Sequence, residues 1–182
     1  MRYLILHGWG GSDMPHWQSH LASTLAANYG CVSFFPFSSP DMPKLDIWKK
    51  ELVEHLQFFQ PDVVICHSLA NILWFHLCND ASLASLQPIK KLYLVAPPSL
   101  DCAIPELNSF FPLKAPKELY AQEILLITST NDPYLSVEDA NKLQKDLDVE
   151  MKMLENAGHI NAESGFGTWE WMENHCQTLH KI

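Results

Sequence analysis

In the stretch DVVICHSLAN, residues 62–71, an apolar run leads directly into His67 and Ser68, and helix-forming residues follow. A serine exposed where a buried strand turns into a helix is one way of presenting a nucleophile, usually written G-x-S-x-G. Here Cys66 and Ala70 hold the glycine positions. Both are compact, which matters because strand and helix pass close together at such a turn. A serine hydroxyl attacks a carbonyl poorly unless a base removes its proton during the attack. Imidazole can take up and release a proton near neutral pH, and His159, after the strand predicted at residues 149–154, supplies one. A carboxylate on the far ring nitrogen fixes the tautomer and stabilises the imidazolium that forms. Asp132, in STNDPY, is the carboxylate expected to do so. Serine also favours helix N-caps, so capping alone is the plain alternative for Ser68. Asn-Asp-Pro is a common turn, a loop histidine satisfied by backbone is the plain alternative for His159, and Asp101 is a rival acid.

Positioning these side chains requires particular elements. Strands are predicted at Arg2–Leu6, Cys31–Phe35, Asp62–Cys66, Lys91–Ala96, Glu123–Thr128 and Val149–Leu154. Helices are predicted near His16–Asn28, Lys44–Phe59, Leu69–Cys78, Ser136–Asp146 and Trp169–His180. Several strand runs are apolar throughout, as in strands covered on both faces. Strands alternating with helices imply an α/β fold, a doubly wound parallel sheet in three layers. Ligands bind such sheets at the carboxyl ends of the strands. His7 and its glycines, Ser68, Asp132 and His159 all follow strands, and so share one rim; Asp62 begins a strand and lies at the opposite end. The order Ser, Asp, His is that of α/β-hydrolases. HGWGGS (residues 7–12) then matches the loop supplying one oxyanion donor, the amide of Trp9, and Leu69 after the serine supplies the other.

HGWGGSDMPHW, CHSLA, STNDPY and AGHINAESGFGTW together span almost the whole chain. On these motifs the sequence resembles the small α/β-hydrolases grouped with retinoblastoma-binding protein nine and its bacterial relatives. The resemblance implies a reduced α/β-hydrolase fold of six strands in the order 2-1-3-4-5-6, serine hydrolase activity and no cofactor. It puts the triad on Ser68, Asp132 and His159. The departures are Cys66 and Ala70 at the turn. The implied reaction is cleavage of a small ester, thioester or amide through an acyl-enzyme. The alternative is a hydrolase-like protein-binding module with little or no activity.

Residues 97–122 carry five prolines and no period, which opposes a continuous helix. They are expected to form a short cap over the pocket, with Phe110, Phe111 and tryptophans lining it, or a packed connector. His7 is expected at the pocket and in hydrogen bonds that orient the oxyanion loop. His67 is expected to point away from the site. His16 and His20 have the i, i+4 spacing of a helical metal pair, but no glutamate follows His16 and no third ligand is evident; no metal is expected. Trp17, Trp48, Trp74, Trp169 and Trp171 read as core or pocket wall, and Gly165 and Gly167 as a tight loop. A flavodoxin-like or receiver domain fits less well, because the first strand ends in His-Gly rather than an acidic pair.

The chain of 182 residues suits one domain, 1–182. Apolar residues make up 47 % and charged residues 18 %, ordinary for a globular protein. The net charge of -9 disfavours nucleic acid and anionic membranes as partners. The five cysteines contain no C-x-x-C pair and read as reduced thiols of a cytoplasmic protein. The apolar run near Met1 is shorter than a signal peptide requires. A small-molecule substrate is expected; any protein partner is unknown from the sequence.

Overall fold

The computed structural model describes residues 1–178. Six strands form one parallel sheet: β1 (Tyr3–Leu6), β2 (Val32–Phe35), β3 (Val63–His67), β4 (Ile89–Val95), β5 (Ala121–Ser129) and β6 (Glu150–Leu154). Their order is β2-β1-β3-β4-β5-β6, the expected one. The helices are α1 (Trp17–Tyr29), α2 (Leu45–Phe59), α3 (Leu69–Asn79), α4 (Val137–Leu147) and α5 (Glu170–Thr178). The end of the helix expected to reach His180 lies outside the described residues.

Strand alternation explains the layering. Along β1, Tyr3 and Ile5 face one side, Leu4 and Leu6 the other, and all four are fully buried. Leu4, Leu6, Val64, Cys66, Leu92 and Leu94 meet α2, α3 and α4 through Trp48, Leu52, Trp74, Leu143 and neighbours. Tyr3, Ile5, Val63, Ile65, Tyr93 and Val95 meet α1 and α5 through Trp17, Leu21, Leu25, Met172 and Cys176. Helices on both faces explain why the central strands read as unbroken apolar runs. The edge strand β2 is only half-buried. No described helix is long and apolar enough to cross a membrane.

The proline-rich segment divides. Its first part, with a 3-10 turn at Pro105–Leu107, lies at the carboxyl rim. Its second part packs on α3, whose side chains satisfy its carbonyls: His76 Nε2 binds Phe110 O at 2.8 Å, Asn79 donates to Lys114 O at 2.8 Å, and Trp74 Nε1 to Leu119 O at 3.1 Å. Such bonds let irregular backbone be buried without a ladder.

Candidate active site

Ser68 occupies the junction of β3 and α3 with φ 54° and ψ −122°. A non-glycine residue there is strained by about 1–3 kcal/mol and needs surrounding structure to hold it. That structure is visible. The Ser68 amide donates to Val95 O at 3.0 Å. The Asn71 side chain donates to Ser68 O at 2.8 Å and to Val95 O at 2.9 Å, tying the turn to the end of β4. Cys66 and Ala70 are fully buried and fit the space. Burial pushes the Cys66 thiol well above its ordinary range, so it stays protonated.

His159 reaches the serine from the loop after β6. Its Nε2 lies 2.8 Å from Ser68 Oγ, and its Nδ1 lies 3.0 and 2.9 Å from the two oxygens of Asp132. The Asp132 carboxylate also accepts from the Tyr134 amide at 2.9 Å, and the Tyr134 ring stands edge-on to the imidazole at 4.6 Å. Both His159 and Asp132 are buried. The structure thus brings together the three side chains that the sequence puts on one rim. Asp101, the rival acid, is exposed and makes no bond to His159 among the described residues.

The two loops are held together by side chains of STND. Asn131 Oδ1 accepts from the Gly158 amide at 2.7 Å and from Ser129 Oγ at 2.9 Å. Ser129 Oγ accepts from the Ala157 amide and Thr130 Oγ1 from the Asn156 amide, each at 2.9 Å. Gly158 has φ 55°, and a Cβ there would collide with the Ser164 hydroxyl, which itself accepts from the His159 amide at 3.1 Å. Sequence reasoning missed Asn131 and Asn71; their signal was only adjacency to Asp132 and to the serine turn.

The loop after β1 passes directly over the serine. Gly8 is so close that a Cβ would stand 2.7 Å from Ser68 Cβ. His7 fixes this loop from behind: Nδ1 donates to Gly8 O at 2.7 Å, while Nε2 accepts from the Phe37 amide at 3.1 Å. Burial lowers its pKa and favours the neutral ring that this pattern requires. Among the described residues, no acceptor is bonded to the amides of Trp9 and Leu69, and both residues line the cavity in front of Ser68.

That cavity, of about 360 Å³, is walled by Trp9, His16, Ile104, Leu107 and Tyr134 among others. Three expectations about it are corrected. Phe110 is fully buried under Trp48, ring centroids 5.6 Å apart, because α3 draws that part of the chain into the core. Phe111 packs against the same core cluster rather than the cavity. His7 sits behind the loop that follows β1 and does not line the cavity. Trp9 is the tryptophan that does; Trp17, Trp48 and Trp74 are core residues. His67 does not leave the site either. Its Nε2 donates to His159 O at 3.1 Å, and its ring packs against those of His16 and His159. Burial holds its pKa well below the ordinary value, so it acts as a neutral brace.

A serine on a strained strand-to-helix turn, on the rim of a parallel sheet ordered 2-1-3-4-5-6, defines the α/β-hydrolase class. Within that class the chain belongs to the serine hydrolase family, whose model matches residues 3–178. The fold is that of the ydeN gene product from B. subtilis, at 18 % identity and TM-score 0.82, with 100 % of this chain and 99 % of that chain covered. A protein from Pectobacterium atrosepticum described as a YdeN-like hydrolase is 24 % identical at TM-score 0.76, covering 96 % of this chain and 87 % of its own. The esterase domain of a Rhodothermus marinus protein matches at 14 % identity and TM-score 0.64, over 95 % and 86 % of the two chains. No curated protein matches.

Proposed function

We propose that the protein is a single-domain serine hydrolase cleaving a small ester, thioester or amide, with Ser68 as nucleophile, His159 as general base and acid, and Asp132 as the residue orienting it. The observation that carries this reading is the unbroken contact from Ser68 Oγ through His159 to both oxygens of Asp132. Ser68 Oγ attacks the carbonyl carbon while His159 Nε2 takes its proton. The oxyanion is received by the Trp9 and Leu69 amides. The tetrahedral adduct collapses, the leaving group departs with the proton from His159, and an acyl-serine remains. Water, deprotonated by the same nitrogen, then releases the acid and restores the hydroxyl.

The rival reading, an idle hydrolase scaffold kept for protein contact, predicts no need for a close serine–imidazole pair; the 2.8 Å separation favours catalysis. The motifs HGWGGS and GHINAESGFG support a place beside retinoblastoma-binding protein nine and its bacterial relatives. The test is a panel of p-nitrophenyl esters of increasing acyl length, run with the protein and with Ser68→Ala. Turnover that Ser68→Ala abolishes is expected; equal turnover by both contradicts the reading.

A further inference from the structure

His16 belongs to no step of the reaction above, yet its ring stands on the wall of the reactive cavity. It is the N-cap of α1, with Nδ1 accepting from the Gln18 amide at 3.2 Å. A backbone N–H can only donate, so Nδ1 carries no proton and the neutral ring must hold its proton on Nε2. The ring is buried, and burial together with the neighbouring His159 and His7 lowers its pKa to about 4; at neutral pH it is therefore an uncharged donor with a fixed tautomer. Contact with His67, ring centroids 4.9 Å apart, and with Trp17 at 5.6 Å restrains its orientation. Among the described residues Nε2 has no partner, and it is not one of the buried polar atoms sealed from the cavity. The metal pairing suggested by the spacing to His20 is not open to this ring through Nδ1, which the cap occupies.

We infer that His16 Nε2–H is a substrate-orienting donor, and that the acyl portion of the substrate carries an uncharged acceptor oxygen to meet it. The inference rests on the serine hydrolase reading. The acyl portion is the part concerned because it alone stays attached to Ser68 through both half-reactions, so a wall contact to it serves both. The acceptor is uncharged because the donor is a dipole rather than an ion. Among the described residues that line the cavity, the carboxylates are Asp13 and Glu163, and there is no Lys or Arg. A carboxylate or phosphate on the acyl chain would meet repulsion without a countercharge. The substrate class is thus an ester or amide whose acyl chain bears an ether, hydroxyl, keto or amide oxygen, held at the N-terminus of α1.

The experiment compares p-nitrophenyl 3-methoxypropanoate, 4-methoxybutanoate and 5-methoxypentanoate with pentanoate, hexanoate and heptanoate, in which a methylene replaces the ether oxygen. The value read is the oxygen-to-methylene ratio of kcat/KM, corrected by the same ratio for alkaline hydrolysis. Two variants separate donor from cap. His16→Asn keeps a side-chain acceptor for the Gln18 amide but withdraws the distal donor; His16→Gln keeps a donor at that reach and loses the cap. One methoxy ester is expected to be preferred by about three- to tenfold, the effect of a neutral hydrogen bond. That preference should vanish in His16→Asn and persist in His16→Gln. Hydrolysis of all six esters with no oxygen preference, or with one that His16→Asn retains, overturns the inference and leaves the serine hydrolase reading standing. Hydrolysis of none overturns both.

Discussion

Gly8 and Ser68 are in such close contact that a methyl group at position 8 would lie 2.7 Å from the serine Cβ and 3.1 Å from His67 O. The second of these is backbone and cannot yield cheaply, so the loop carrying the Trp9 amide would have to lift. Gly8→Ala should therefore lower kcat by about 10²-fold, the scale of losing one oxyanion donor, with KM changing less. Steady-state kinetics beside circular dichroism check this; an unchanged kcat in a folded variant contradicts it.

Asp132 touches the imidazole with both oxygens. Asp132→Asn preserves shape but lets the ring adopt the wrong tautomer, and a kcat loss of about 10⁴-fold is expected on the precedent of serine proteases. Asp101→Asn, on an exposed residue, should leave kcat unchanged. Measuring both variants on one nitrophenyl ester decides between the two acids.

Asn131 Oδ1 is the anchor of the Gly158 amide at 2.7 Å. Asn131→Ala removes that acceptor and frees the loop that carries His159. Urea unfolding should show a loss of about 1–3 kcal/mol, and kcat should fall even at temperatures where the variant is fully folded. A variant that loses stability alone would make Asn131 structural only.

His16 and His67 are both buried with lowered pKa values, His16 to about 4 from 6.5. A group whose folded pKa is depressed stabilises the fold above its unfolded pKa, and that contribution is lost as pH falls toward the folded value. Stability should therefore hold above about pH 6.5 and decline steadily toward pH 4. His16 accounts for roughly 3 kcal/mol of that decline. Urea midpoints at pH 7, 5.5 and 4 test this: the slope should be shallower in His16→Asn, and an equal slope contradicts the assignment.

The rim was legible in the sequence because its logic is one-dimensional. Ser68, Asp132 and His159 each follow a segment that reads as a strand, and a parallel sheet puts every such position on one edge. The layering of Tyr3 and Ile5 against Leu4 and Leu6 follows from the two-residue period of a strand, whereas the strand order is legible only through the family resemblance. The pocket was not legible. Phe110 and Phe111 read as pocket wall because both fall in a proline-rich segment with no period. Whether an aromatic in an aperiodic segment faces cavity or core depends on what α3 offers it, here His76 and Trp74, and no spacing encodes that. Adjacent side chains diverge at a sharp turn, and His67 does diverge from the serine, but toward the loop that delivers His159. The spacing of His16 to His20 is visible in one dimension, while its cap to Gln18 and its place at the cavity depend on the tertiary fold.

The most direct test of the central claim is the intact mass of the protein after exposure to a fluorophosphonate probe. A single adduct that peptide mapping locates on Ser68, absent in Ser68→Ala and much slower to form in His159→Ala, is the predicted result. Equal labelling of Ser68→Ala, or no adduct on the folded protein, would contradict the claim that His159 makes the Ser68 hydroxyl reactive.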